Sequence, residues 1–414
     1  MTPDSAQSPP PARLILDLSR LVHAAWSRTP KGIPRVELAY ARHFLANDAD
    51  RLHFTVLDAF GRLRLVSKRS AAAFAEAIAR YWEQDIDSTA AHWQIALRAL
   101  WIHIVLVLRP WGALEQLVSR SRDRFLYIIP SQLQLERPAL IEALKSAGDL
   151  KLVVFVHDIL PSLLPHLFTR KDAVLYQQRM ETAALLADAI IVNSRVTAES
   201  FQARFGAPRG AGRVIVAPLG VTRPVETSPW RKTVASPYFV MLGTIEPRKN
   251  HRLMLDIWLK LHRELASATP RLLVIGERGW KNDDVLQRLE EDALRRGHVR
   301  ECGRLPDATV TDLLEGATAL LLPSLAEGYG LPLVEALAAG TPVLCSDIPV
   351  FREVGGDVPD FLDPNDGQAW REAVLDYARP GSARREAQIR RLESWSRPTW
   401  KYHFAIVDAA LREL

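Results

Sequence analysis

The sequence predicts an α/β protein of two doubly wound domains that face each other across a cleft, and three observations lead there. The chain has 414 residues, more than one hydrophobic core usually supports, so two domains of roughly 200 residues each are expected. Short apolar runs bounded by turn residues alternate with segments of helical periodicity, the pattern of β-α-β units. Between two such sets lies "VTRPVETSPWRKTVASP", residues 221 to 237, a polar stretch with no helical stripe that reads as an interdomain linker.

In chain order, the first set of strands is "RLILDL" (13 to 18), "HFTVLDA" (53 to 59), "RFLYIIP" (124 to 130), "KLVVFVHD" (151 to 158), "DAIIVNS" (188 to 194) and "RVIVAP" (213 to 218). The second is "YFVMLG" (238 to 243), "RLLVIG" (271 to 276), "ATALLLPS" (317 to 324) and "PVLCS" (342 to 346). Several of these runs are continuously apolar rather than alternating, as a parallel sheet covered on both faces requires. The division is then residues 1–222 for the first domain and 223–395 for the second. Residues 396–414 form an amphipathic helix expected to pack back on the first domain. Facing carboxyl edges would bind ligand in the crevice between them.

Composition is that of a globular chain, with 27 prolines and 21 glycines spread along it rather than gathered in tracts. The formal net charge of +5 suggests anionic partners, whether phosphate-bearing ligand, acidic membrane face or nucleic acid. Cys302 and Cys345 lie far apart without metal-ligand spacing, which fits small core residues in a reducing compartment. The start, "MTPDSAQSPPPAR", is polar and carries no apolar run of a signal peptide, so a cytoplasmic location is expected. No stretch reaches the ~20 apolar residues of a spanning helix. The nearest, "LRALWIHIVLVLRPW" at 97 to 111, has two readings. One is a buried helix; the other is a peripheral contact with the inner face of an anionic membrane, because Trp93, Trp101 and Trp111 accompany Arg98, Arg109, Arg120, Arg122 and Arg124.

"LLPSLAEGYGLPLVEALAAGTPVLCSD", residues 321 to 347, places Glu327 and Glu335 eight positions apart around a glycine-rich turn. A strand ends at Ser324, a turn follows, and Pro332 suits the first helical position, where its missing N–H costs nothing. Gly340 suits the helix stop. Glu335 then falls one turn inside, and helical side chains lean toward the N-terminus, so both carboxylates can face one pocket. The N–H groups of Gly328, Tyr329, Gly330 and Leu331 and the helix's positive end form an anion site beside them. Carboxylates accept hydrogen bonds from hydroxyls, so this combination suits a ligand with both phosphate and hydroxyl groups, such as a nucleotide sugar.

At these residues the chain resembles family 4 of the glycosyltransferases, whose members share the GT-B fold of two Rossmann-like domains and an E-x7-E signature. "EGYGLPLVEALAAGTPVLCSDIPVFREV" matches that signature closely. The resemblance can be followed over most of residues 13 to 412 and is weakest from 60 to 125. It implies that Glu327 contacts hydroxyls of the donor sugar and Glu335 the nucleotide ribose. It implies a histidine reaching the donor sugar at His157, with Asp158 orienting the turn. Gly32, in "RTPKGIPRVELAY", stands where relatives place a glycine-rich loop near the donor phosphates and the acceptor. Arg35 beside it either assists or faces solvent. Backbone atoms around Arg304 and Leu305 stand where relatives meet the nucleobase.

"YFVMLGTIEPRKNH" puts Arg248 and Lys249 in the loop after a strand, where cations can neutralise a departing diphosphate without metal. Many members carry an arginine directly after the glycine that is Gly243 here, and this chain has Thr244 instead; Arg248 would supply the charge from another point on the loop. The expectation is therefore a retaining, metal-independent hexosyltransferase needing no cofactor. Its donor would be a nucleotide sugar, with GDP-mannose the best guess from "GTIEPRKN" and "GERGW". Its acceptor would be a saccharide, lipid-linked by the charge and Trp/Arg content, in bacterial surface polysaccharide synthesis.

Two other classes fit the same scaffold. A sugar-nucleotide epimerase would convert donor without acceptor, and a non-catalytic partner protein would bind without turnover. Asp85-Ile86-Asp87 and Asp48-Ala49-Asp50 mimic a D-x-D metal motif, but neither follows an apolar strand. No G-x-G-x-x-G follows the first strand, which disfavours a dehydrogenase. The arginines show no nucleic-acid-binding motif.

Overall fold

The computed structural model describes residues 11–26, 32–58, 60–83, 89–108, 114–208, 212–222, 237–291 and 298–414. The apolar runs of the first half lie in one seven-stranded sheet of order β3-β2-β1-β4-β5-β6-β7. Its strands are β1 Arg13–Asp17, β2 Leu52–Leu57, β3 Leu63–Val66, β4 Phe125–Ile129, β5 Leu150–Val156, β6 Ala189–Val192 and β7 Arg213–Val216. Only β3 runs antiparallel to its neighbour. The second sheet has the order β10-β9-β8-β11-β12-β13 and is parallel throughout. It comprises β8 Tyr238–Leu242, β9 Arg271–Ile275, β10 Val299–Gly303, β11 Ala319–Leu322, β12 Val343–Ser346 and β13 Asp360–Leu362.

The continuous apolar runs divide residue by residue between two cores. Leu14 and Leu16 join one side of the first sheet while Ile15 joins the other. Phe239 and Met241 part from Tyr238 and Val240 in the same way. Period-two alternation with both faces buried leaves no polar face to read. β3, β10 and β13 carry no such run in the sequence. All three sit at sheet edges, where Arg64, Arg300, Glu301 and Asp360 interrupt them, and charged residues on short strands are how edges avoid pairing with other chains.

Chain order reverses between β1 and β4 in one sheet and between β8 and β11 in the other, so each domain has one switch point. Polar contacts join the domains across the cleft. Glu353 accepts from the N–H groups of Arg195 and Val196 at 2.7 and 2.9 Å, Thr197 Oγ1 donates to Gly328 O at 3.2 Å, and Tyr329 Oη donates to Leu219 O at 3.1 Å. The last helix, Trp400–Arg412, returns to the first domain. Phe404, Val407 and Leu411 pack with Leu14, Tyr40 and Phe44, and His403 meets Ala217 O and Tyr40 Oη at 3.1 and 3.0 Å.

The segment read as either buried or membrane-facing belongs to the helix Thr89–Leu108, which is buried on one side and exposed on the other. Ile95, Ala96, Ala99, Ile102 and Leu106 are buried, while Trp93, Leu97, Leu100, Trp101 and Ile104 are exposed. Arg109 and Trp111 lie outside the described residues, as do Asp85, Asp87 and most of the linker. Among the described residues no helix is long and apolar enough to cross a membrane.

Candidate active site

Loops from the carboxyl ends of β8 and β11 flank the switch point of the second sheet. Leu325 N donates to Arg248 O at 2.7 Å and ties the two loops together. Glu327 is the focus of this junction. Its carboxylate accepts from Arg248 Nη1 at 2.5 Å, Lys249 Nζ at 2.5 Å and Ser324 Oγ at 2.8 Å. Burial pushes this carboxyl up, but Arg248 and Lys249 outweigh it and hold the group at about 2. Glu246 shares Arg248 at 2.6 Å, and burial raises its own carboxyl. Burial also lowers the Lys249 ammonium, against the pull of Glu327.

After Glu327 the chain must turn sharply beside the first domain. Gly328 allows this approach: a Cβ there would stand 2.6 Å from Asp158 Cβ and 3.0 Å from His157 O. Gly330, at φ 88°, caps the helix Leu331–Ala338, which makes Pro332 its second residue rather than the first. At the other end Thr341 N bonds Ala336 O at 2.9 Å and Gly340 N bonds Leu337 O at 3.1 Å, a Schellman stop. No hydrogen bond among the described residues engages the N–H of Gly330 or Leu331 at the helix mouth.

Glu335 sits one turn into this helix. Arg35, from the helix Gly32–Asn47 of the first domain, donates to its Oε1 at 2.9 Å and also pairs with Asp307. Burial raises both carboxyls and Arg35 pulls both down. On the first-domain wall, β5 ends at His157. The His157 ring stacks on Phe155 at 4.4 Å between centroids, and its Nε2 lies 2.7 Å from Pro130 O. A carbonyl can only accept, so Nε2 carries the proton. Burial lowers this imidazole to about 4, leaving a neutral ring whose Nδ1 is an acceptor. Asp158, raised by burial and lowered by Arg248, accepts from Leu160 N at 3.0 Å and so holds the turn.

Two adjoining hollows share Gly32 and Arg304. One, of about 280 Å³, is lined by Arg35, Gly243, Thr244, Leu305, Asp307 and Glu335, among others. The other, of about 770 Å³, is lined by His157, Arg248, Lys249, Glu327, Gly328, Tyr329, Gly330 and Leu331 and by Arg20, His23 and Trp26 opposite. Every site residue singled out in the sequence thus lies on one hollow or the other. Arg304 pairs with Glu277 there. Tyr329 lines its hollow with the hydroxyl committed to Leu219. Sequence reasoning passed over Ser324, Asp307, Asn193, whose Nδ2 donates to His157 O at 2.7 Å, and Glu246. The first three directly follow strands or a strand loop, and a polar residue just past an apolar run was the available signal.

Comparison with known proteins bears on this geometry. Residues 224–388 match the family described as glycosyl transferases group 1. The chain is 38% identical over 164 residues to the O-antigen chain mannosyltransferase B of Escherichia coli, covering 40% of this chain and 42% of that one. It is 30% identical over 137 residues to the O-antigen chain mannosyltransferase RfbU of Salmonella typhimurium, covering 33% and 37%. The chain therefore spans less than half the length of these curated relatives. In fold it is similar to Anabaena Alr3699/HepE, solved in complex with UDP and glucose, at a TM-score of 0.61 and 16% identity over 97% of this chain and 100% of that one. The likeness extends over both domains and identifies the architecture as GT-B.

Proposed function

We propose that this chain, whose second half is a group 1 glycosyl transferase domain in a GT-B fold, transfers a hexose from a nucleotide sugar to a saccharide with retention of anomeric configuration and without metal. The observation that carries the reading is the Glu327 cluster. A fully charged, buried carboxylate and two cations stand at the mouth of a helix whose first N–H groups are unengaged, across from a neutral imidazole acceptor. That set recognises sugar hydroxyls and diphosphate together.

In this mechanism the donor sugar lies in the larger hollow, its hydroxyls donating to Glu327 and to His157 Nδ1. The nucleoside occupies the smaller hollow with its ribose on Glu335. The bond from the anomeric carbon to phosphate oxygen breaks and its electron pair stays on that oxygen, where Arg248, Lys249 and the Gly330 and Leu331 amides stabilise the charge. The acceptor oxygen bonds the same face of the carbon, and its proton passes to the departing phosphate. Arg248 and Lys249 supply the charge that a metal supplies elsewhere.

Mannose from GDP-mannose is the proposed transfer, supported by the O-antigen mannosyltransferases among the relatives. A lipid-linked acceptor at the inner face of a membrane is supported by the exposed Trp93, Leu97, Leu100, Trp101 and Ile104 beside the exposed Arg98. The test is calorimetric titration, in EDTA, of the chain and its Glu335→Ala variant with a panel of nucleotide diphosphates and nucleotide sugars. Selective binding that weakens in the variant supports the reading; a folded chain that binds none of them sinks it.

A further inference from the structure

Arg20 stands apart from the other cations of the cleft. It lies in the short helix Ser19–His23 directly after β1, at the carboxyl edge of the first sheet, and lines the same hollow as Glu327 and His157. Arg35, Arg248, Lys249 and Arg304 are each paired with an acid. The Arg20 guanidinium forms no hydrogen bond or ion pair with any described residue.

The acids nearest to it are committed elsewhere. Glu136 takes Arg179 Nε at 2.7 Å and Nη2 as well. Glu37 is completely buried, accepts from Leu21 N at 2.5 Å, and has no partner for Oε1 among the described residues. Burial, with Asp17 beside it, pushes the Glu37 carboxyl well up, while the nearby Arg20 pulls it down. Burial in turn lowers Arg20's own pKa against the pull of Glu37, and no side-chain hydrogen bond to a described residue replaces the hydration its guanidinium loses. A guanidinium in that state, open to a ligand-sized hollow, matches carboxylate or phosphate through paired N–H donors. Trp26 lines the same wall and is 49% exposed, a flat apolar face against which a sugar ring can lie.

We propose that Arg20 is the anion-binding subsite of the acceptor, and that the acceptor is a saccharide carrying a phosphate or carboxylate near the hydroxyl that reacts. The inference rests on the transferase reading and names its acceptor class. The donor's diphosphate is not the anion in question, because Arg248, Lys249 and the helix mouth of the second domain serve it. The charges that weigh on Arg20, namely Glu37, Arg179, Tyr176 and Glu136, all belong to the first domain.

The test compares the unaltered chain with Arg20→Gln and Arg20→Lys. Each is titrated with an octyl mannosyl phosphodiester and with the neutral octyl mannoside, with and without saturating nucleotide diphosphate. The unaltered chain should prefer the phosphodiester about tenfold, a difference of about 1.4 kcal/mol. Arg20→Gln should erase that preference and Arg20→Lys should keep part of it, with nucleotide affinity changed less than about twofold and melting temperatures alike. Equal affinity of the unaltered chain for the two probes would overturn the subsite, as would a loss in Arg20→Gln that is the same for both probes or falls on nucleotide. A chain binding no nucleotide would sink the transferase reading instead; the probe preference measured without nucleotide would still decide for or against Arg20.

Discussion

Arg35 Nη1 donates to Glu335 Oε1 at 2.9 Å, a bond from the first turn of a first-domain helix to a residue one turn into a second-domain helix. The same guanidinium holds Asp307. One arginine thereby orients the carboxylate proposed to hold ribose and ties the two walls of the cleft at that spot.

Replacing Arg35 with Ala is expected to weaken nucleotide binding about tenfold and to move its acid limb to higher pH. Burial already raises the Glu335 carboxyl, and Arg35 is the main group pulling it down, with Lys249 adding to that and Asp307 opposing it. Binding that needs the carboxylate is lost as pH falls through its pKa, so removing Arg35 must shift that loss upward. Dissociation constants measured from pH 5 to 8 check this; an unmoved limb would leave Arg35 a structural tie only.

Glu327→Gln should lower kcat by roughly two to three orders of magnitude, the scale of losing one preorganised polar group at a reacting centre. It should also remove an acid transition in stability. The folded group titrates at about 2 against an ordinary 4.5, so its contribution is fully present above pH 4.5 and is lost as pH falls toward 2. That contribution is on the order of 3 kcal/mol. Denaturant midpoints against pH for both proteins check it, the variant showing the flatter acid side.

His157 should add no transition to the pH profile of kcat/KM between about pH 5 and 8, because burial holds it neutral until about 4, against the raising effect of Pro130 O. The nearby Arg20 and His403 also lower it. His157→Phe, which keeps a ring over Phe155 but no acceptor, should cut kcat while nucleotide affinity stays within about threefold. An ionisation near 6.5 that disappears in the variant would contradict the neutral-acceptor role.

Trp101→Glu combined with Arg98→Glu should reduce cosedimentation with anionic vesicles several-fold and leave zwitterionic vesicles unaffected. Both side chains are exposed on the helix Thr89–Leu108, so folding should survive. Equal sedimentation of variant and unaltered chain would remove the membrane contact.

The sequence carried much of this in local form. The runs that became β1, β5, β8 and β11 are apolar through their centres, with Arg13, Asp17 and Lys151 only toward the strand ends, because both faces are covered. The turn around Glu327 is spelled out by Gly328 and Gly330, and the stop of the helix after it by Gly340. The edge strands β3, β10 and β13 were illegible because edges are short and charged, and periodicity cannot distinguish them from loops. The two faces of the helix Thr89–Leu108 were illegible for the opposite reason: apolar residues surround it, so only its neighbours decide which side is buried.

By itself, then, the sequence determined the α/β alternation, the two-domain division and the chemical identity of the Glu327 and Glu335 turn, since each depends on residues close together in the chain. Tertiary structure alone decided that Arg35 clasps Glu335 and Asp307 from the other domain, that burial keeps His157 neutral while Pro130 O fixes its proton on Nε2, and that the Arg20 guanidinium faces the cleft with no hydrogen bond or ion pair to a described residue. These depend on which groups meet across hundreds of residues and on how much water reaches them, and burial and pairing are set only once the domains have closed on each other.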